Sequence, residues 1–301
     1  MPAAKRADWF AAETQALRRP LRQINRALQR TFMVSRMAYK SILVHVDPTQ
    51  AGRTRVRGAA ALALQWDARL IGLAARSLEP MIDPAGVPRP RYVEGAAAEM
   101  AEAEQVFRGE TAELAADRAI WRTEQKLPTE AMLQHCAGAD LIVASGGVDQ
   151  APATHAGAGD LIIAAGAPVL CLQNAQRIEA KSILVGWKDT RETRRAVTDA
   201  LPLLKRAASV HVISFAEEAE APPGLDAAVG RLKLHGVRVA AEVTRPTQRA
   251  IAEDFVAKAK AIGADLIVAG GYGHSRLREW ALGGATRGLL EQSAVSVLFS
   301  H

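Results

Sequence analysis

Two glycine clusters are the part of this 301-residue chain whose residue types and spacing could do chemistry. Gly270-Gly271-Tyr272-Gly273-His274-Ser275 comes first, and Gly283-Gly284-Ala285-Thr286 follows it within one turn of sequence. Glycine has no Cβ, so its backbone can approach phosphate oxygens closely and adopt the positive φ that turns successive N–H groups inward. The second cluster opens a segment with helical patterning from about Gly284 to Gln292. The first N–H groups of a helix lack partners and carry the positive end of its dipole, which suits an anion. On this basis Gly270, Gly273, Gly283 and Gly284 would supply N–H groups, and the Ala285 N–H would complete the helix terminus. His274 and Ser275 would add polar contacts, although polar residues in an exposed turn need no such role.

Other chemistries lack their parts. The sequence holds no GxSxG, HExxH or GxxxxGK[ST] motif, so hydrolase elbows, zincin helices and P-loops are not indicated. Cys136 and Cys171 are far apart and sit in no CxxC or Cys/His pattern, which fits a reducing, cytoplasmic setting better than a disulfide framework. His45 and His211 fall inside strand-like runs and read as core histidines, and no histidine clusters with carboxylates at metal spacing. Arg191, Arg194 and Arg195 open a helix where they could approach phosphate, with a solvated face as the plainer account.

The loops must be carried by something, and the chain around them alternates strand and helix. Short apolar runs at Ser182–Trp187, Ser209–Phe215, Val237–Val243, Asp265–Ala269 and Ala294–Phe299 read as buried strands. Helices are expected from Asp189-Thr190 to about Arg206, at Leu225–His235 and at Thr247–Ile262. Earlier in the chain, strands are expected near Ile42–Val46, Leu70–Ala75, Ala119–Glu124, Leu141–Ala144 and Val169–Leu172. Strict alternation implies parallel sheets covered on both faces, with ligands beyond the carboxyl ends of the strands.

The chain also repeats. Lys40-Ser41-Ile42-Leu43-Val44 returns as Lys181-Ser182-Ile183-Leu184-Val185, and Ala139-Asp140-Leu141-Ile142-Val143-Ala144 returns as Ala264-Asp265-Leu266-Ile267-Val268-Ala269. Two copies in one order with unequal spacers predict tandem homologous domains, 39–176 and 177–301. Each would be a Rossmann-like α/β domain, a five-stranded parallel sheet with helices on both faces. The extra residues of the first copy fall around the Pro-rich stretch Glu79–Tyr92 and the Ala/Glu helix after it.

Composition sets the outer bounds: 49% hydrophobic and 23% charged residues describe a soluble globular chain. No apolar run approaches the roughly 20 residues of a membrane span. Residues 1–38 hold eight basic and two acidic residues, an excess equal to the whole chain's net charge of +6. The basic balance therefore belongs to this extension, and the remainder gives no case for nucleic acid or membrane as partner. Apolar residues at helical spacing among its arginines allow a basic amphipathic arm. A flexible extension, or a start codon upstream of Met33 or Met37, explains it as well.

Gly270, Gly273 and Gly283 fit the spacing Gly-x2-Gly-x9-Gly-[Ser/Thr], and with the repeated strand motifs and the closing Val-Ser-Val-Leu they resemble the universal stress protein family in its ATP-binding branch. The resemblance spans roughly residues 39–301. It implies a regulatory stress-response module binding ATP, with Mg²⁺ as companion, in the second copy, with hydrolysis slow at most. It implies as well that the last strands of the two copies, Val169–Leu172 and Val295–Phe299, pack together as the family's dimer does, and a homodimer is a further expectation. By the same resemblance, backbone at Val212 would contact adenine, and Trp187-Lys188 forms the loop after the first strand. There Lys188 stands where the family usually has an acidic residue. Gly284 replaces the final hydroxyl of the signature. The first copy has Ser145 and Val148 at the loop glycines and is three residues shorter there, so one nucleotide per chain is expected. Ser145-Gly146-Gly147-Val148-Asp149 also resembles the pyrophosphate loop of adenylating ATP pyrophosphatases, although it follows the fourth strand rather than the first. A nucleotide-free interaction protein of the same fold is the remaining alternative.

Overall fold

The computed structural model describes residues 39–77, 91–147, 155–173, 178–217, 222–273 and 284–301. The N-terminal extension, the Pro-rich stretch up to residue 90, Val148 to Gln150, and His274 to Gly283 lie outside the described residues.

Tyr39–His301 form one compact unit built on a single sheet of ten strands. The strands are β1 (Ser41–His45), β2 (Arg69–Ala75), β3 (Ala119–Glu124), β4 (Leu141–Ser145), β5 (Val169–Leu172), β6 (Ser182–Gly186), β7 (Ser209–Phe215), β8 (Val239–Thr244), β9 (Leu266–Gly270) and β10 (Ser296–Ser300). Their order across the sheet is β3-β2-β1-β4-β5-β10-β9-β6-β7-β8. Every pairing is parallel except the central one, where β5 and β10 run antiparallel with Val297 opposite Cys171 and Phe299 opposite Val169. The order on either side of this seam is the same when read outward, so one half mirrors the other in topology. The two expected sheets are thus one continuous sheet. Pairing β5 with β10 removes one open edge from each half and leaves β3 and β8 as the edges of the whole sheet.

The repeated motifs have a physical reason. β1 and β6 are buried along Ile42–Val44 and Ile183–Val185, as strands covered on both faces must be. The Asp of each Ala-Asp-Leu-Ile-Val motif ties the neighbouring strand's start. Asp140 Oδ2 accepts from Lys40 N (2.7 Å) and Ser41 N (3.0 Å), and Asp265 accepts from Lys181 N (2.9 Å) and Ser182 N (3.1 Å). The two motifs of each copy are therefore partners across one strand pair.

The helices among the described residues are α1 (Gln50–Trp66), α2 (Arg91–Glu110), α3 (Pro128–His135), α4 (Ala158–Ala164), α5 (Arg191–Asp199), α6 (Leu201–Leu204), α7 (Leu225–Leu234), α8 (Ile251–Ala261) and α9 (Ala285–Gln292). Thr49 and Thr190 occupy the same place in the repeat and cap α1 and α5, accepting from Gly52 N and Thr193 N. The single helix expected from Thr190 to Arg206 is broken at Ala200, because Pro202 has no N–H to continue the ladder and instead opens α6. α2 is 20 residues long against 10 for its counterpart α7, so part of the first copy's extra length lies in this helix. No helix among the described residues is long and apolar enough to cross a membrane.

Candidate functional site

A cavity of about 1060 Å³ opens at the carboxyl ends of β6, β7 and β9. It lies where a ligand is expected in a doubly wound sheet, since β6 sends its connections to β7 on one side and pairs with β9 on the other.

The β7 side of the cavity is apolar. Trp187 extends from the end of β6, its backbone N donating to Ile213 O (2.7 Å) and its Nε1 to Pro223 O (3.3 Å). Ser214 Oγ donates to Trp187 O (2.9 Å), which fixes this loop against the strand. Phe215 and Phe255 meet edge to face at 4.9 Å, and Ile251 and Pro222 complete the wall. Flat apolar surfaces with a few backbone polar groups suit an aromatic base.

The β9 side is polar. Gly270, Gly273, Gly284, Ala285 and Thr286 line it from one direction, and Thr190, Glu192 and Thr193 of the α5 terminus line it from the other. Gly284 is the N-cap of α9 with extended backbone (φ −58°, ψ 159°) and makes no side-chain cap, so the helix meets the cavity with its N-terminal groups. The missing hydroxyl of the signature is matched two residues later only in part. Thr286 is buried, and its Oγ1 accepts from Tyr272 N at 3.0 Å, which places that hydroxyl in the service of the loop.

The signature glycines do not share one role. A Cβ on Gly270 would lie 2.7 Å from Thr193 N and 2.9 Å from the Glu192 carbonyl carbon, so this glycine is required by the close approach of α5 to β9. A Cβ on Gly273 would meet only side-chain atoms, Glu192 Oε2 at 3.2 Å and Thr190 Oγ1 at 3.7 Å. In this loop it is Tyr272 that adopts the left-handed conformation, with φ 52°.

Glu192 and Asp189 put carboxylates on the cavity wall beside Lys188 and Arg249. Burial pushes the Glu192 carboxyl up, but its own backbone N–H, Arg191 and Thr190 outweigh that and hold it below the usual carboxylate range. It is therefore charged at neutral pH. Arg191 pairs with Glu192 and Arg194 with Asp189, both from exposed positions, while Arg195 donates to Gly166 O of the first half. None of the three arginines lines the cavity itself.

Of the residues singled out by sequence, Gly270, Gly273, Gly284, Ala285, Trp187 and Lys188 come together around the cavity. His274, Ser275 and Gly283 lie outside the described residues. Val212 does not line the cavity: it is 1% exposed in the middle of β7, and the cavity wall from that strand is Ser214, Phe215 and Ala216. The wall is made by the last two residues of β7 and the one after them, starting two residues beyond the expected position. Sequence also missed Glu192, Thr190 and Thr193 as cavity residues. The capping pattern at Thr190 marked the helix start, but nothing in it shows that the helix start faces β9.

The corresponding place in the first half is filled. Aligned by the repeat, Gly186, Ala196 and Gly270 of the second half are His45, Arg55 and Ser145 in the first. Arg55 is 3% exposed; its Nε donates to His45 O (2.8 Å), and its guanidinium also binds Asp47 and Ser145 Oγ. Asp47 is thus held by an internal cation and by Thr49. Burial raises its carboxyl and Arg55 lowers it further, for a net shift below the ordinary value. Ser145 is engaged by Arg55, and Gly147 N donates to Leu290 O, so the described part of the Ser-Gly-Gly loop is committed to internal contacts. Among the described residues no group of three or more His, Cys, Asp or Glu side chains could hold a metal ion.

A mostly parallel α/β sheet with a cavity at its switch point, apolar on one side and polar on the other, defines the Rossmann-like class. Residues 179–301 match the universal stress protein family. Solved structures share the fold over most of the chain. A universal stress protein from Archaeoglobus fulgidus is 14% identical, with a TM-score of 0.64 over 86% of this chain and 94% of that one. A Pseudomonas aeruginosa protein designated a universal stress protein is 18% identical, with a TM-score of 0.53 over 87% and 93%. A functionally unknown protein from P. aeruginosa PAO1 is also 18% identical, with a TM-score of 0.53 over 87% and 92%. No curated protein matches the chain.

Proposed function

We propose that the chain is a tandem pair of universal stress protein-like domains, 39–176 and 177–301, that binds one ATP in the second as a regulatory module of the stress response. The repeated motifs, the repeated caps and the mirrored strand order support the tandem division. The observation that carries the ligand is the cavity itself, which joins an aromatic wall to a helix N-terminus across β6. Adenine would lie against Trp187 and Phe215, and the phosphates would meet the backbone at Gly273 and Gly284–Ala285. Lys188 would add positive charge at the rim. Glu192 and Asp189 fit a cation carried with the phosphates, because a carboxylate tolerates a neighbouring phosphate only with positive charge between them. Mg²⁺ would be that cation, held chiefly by the phosphates, since Glu192 and Asp189 already pair with Arg191 and Arg194. No catalytic residue is assigned, and any hydrolysis would be slow.

A nucleotide-free interaction protein is the second reading, favoured by one observation. Gly270 is explained by packing against Thr193 alone, so one signature glycine needs no ligand.

The test is to purify the full chain, denature it and quantify released nucleotide by ion exchange, followed by ATP titration. About one adenine nucleotide per chain is expected, with Gly273→Asp losing it while the circular dichroism spectrum is unchanged. An empty protein that binds no ATP on titration would establish the interaction reading instead.

A further inference from the structure

The polar end of the cavity is not held by the second half alone. Tyr272 reaches from the glycine loop to α4 of the first half, where a Cβ on Gly159 would lie 2.7 Å from its hydroxyl oxygen. The residue before it, Gly271, sits directly against Ile162 of the same helix, with no room for a Cβ. The two contacts are close, one glycine on each side of the seam, and a Cβ at Gly159 would have to displace the tyrosine hydroxyl. At the other end of the site, the C-terminal turn of α9 is tied to the first half's degenerate loop. Leu290 O accepts from Gly147 N at 2.8 Å and lies 3.5 Å from Gln173 Nε2. The loop and the helix are linked to each other as well, through Tyr272 N and Thr286 Oγ1. The loop and the helix at the polar end are therefore both braced by residues of the first half, where Arg55 binds His45, Asp47 and Ser145.

We propose that the first half acts as a positioning element for the cavity of the second, with Tyr272 as the positioning residue that braces the glycine loop on Gly159 of α4. The left-handed backbone of Tyr272 is sterically unfavourable for a large side chain, and it persists where its surroundings over-determine it. Here those surroundings are the Thr286 hydroxyl on one side and α4 on the other. The first half thus has a role in ligand binding without a ligand of its own: it sets the geometry of Gly273 and of the start of α9.

The proposal rests on the ligand site described above but has a readout that needs no ligand. Amide hydrogen exchange of the full chain is compared for wild type, Tyr272→Asn, Gly159→Ala and Tyr272→Phe. Asn tolerates the left-handed region but cannot reach α4, and alanine at 159 sets a methyl group against the tyrosine hydroxyl. In the absence of nucleotide, Tyr272→Asn and Gly159→Ala are expected to speed exchange at residues 271–273 and 285–288 by about tenfold, with β6 and β7 unchanged. Tyr272→Phe keeps the ring but removes the hydroxyl that meets Gly159, and is expected to fall between wild type and Tyr272→Asn. ATP affinity should fall in the same order. Unchanged exchange at both segments in both variants overturns the positioning role, as does faster exchange with ATP affinity equal to wild type. Faster exchange in proteins that bind no ATP, wild type included, supports the bracing and refutes the nucleotide.

Discussion

Replacing Gly270 or Gly273 by alanine separates two explanations that residue spacing treats as one. At Gly270 the new methyl group would sit 2.7 Å from Thr193 N and 2.9 Å from the Glu192 carbonyl carbon and Thr193 Oγ1. Two of these atoms are backbone in the first turn of α5, so relief requires the helix to move away from β9, which it covers. Overpacking of this kind costs about 1–3 kcal/mol, and rigid backbone neighbours place Gly270→Ala at roughly 2–3 kcal/mol. For a chain of this size that corresponds to a fall of about 4–10 °C in Tm. At Gly273 the nearest atom is a Glu192 carboxylate oxygen at 3.2 Å on a side chain that can rotate, and the backbone is not left-handed. Gly273→Ala should therefore cost less than about 1 kcal/mol. Thermal and urea unfolding followed by circular dichroism measures both. A Gly270→Ala protein within about 1 °C of wild type, or a Gly273→Ala protein less stable than it, would refute the assignment of packing to one glycine and the cavity to the other.

Two further outcomes follow from buried groups. His45 is held neutral, its pKa lowered from 6.5 to about 3 by burial and by the Arg55 guanidinium, with Asp47 opposing. The unfolded chain takes up this proton first, so stability is fully present above about pH 6.5 and declines as pH falls toward 3. The urea midpoint should drop between pH 7.5 and 5 in wild type and drop less in His45→Gln; equal slopes would show that another group controls this range. Cys171 is fully buried in β5 and its thiol is pushed up to about 12, whereas Cys136 is partly exposed with its Sγ 2.9 Å from Leu133 O. A thiol reagent should therefore label one cysteine per native chain and two only in denaturant, and fast labelling of Cys171 in the native protein would show that the β5–β10 seam opens.

Strand identity was legible to within a residue or two, because buried parallel strands are short apolar runs and little else in the chain looks like them. β3, β5 and β7 begin and end where the pattern places them. Helix limits were less legible. The α8 segment starts at Ile251 rather than Thr247, where Thr247 instead binds Asp254 with its backbone N and hydroxyl. A threonine ahead of an apolar helix fits either arrangement, and only the folded loop decides between them. The glycine loop was legible as a candidate anion site, while Val212, named from the same strand, does not line the cavity, because period-two patterning does not mark where a strand clears the sheet.

The sequence alone determined the alternation of strand and helix, the duplication and the place of the loops. Apolar runs, caps and glycines are local signals that act over a few residues. The repeated Asp140 and Asp265 could be seen as repeated, but their use in fastening Lys40-Ser41 and Lys181-Ser182 depends on strands about a hundred residues apart becoming neighbours. Tertiary structure decided that the halves share one sheet, that a buried Arg55 binds His45, Asp47 and Ser145 at the strand ends of the first half, and that Gly270 serves packing. Each of these depends on which atoms meet across long sequence separation, and close packing lets a single Cβ or guanidinium settle how two elements meet.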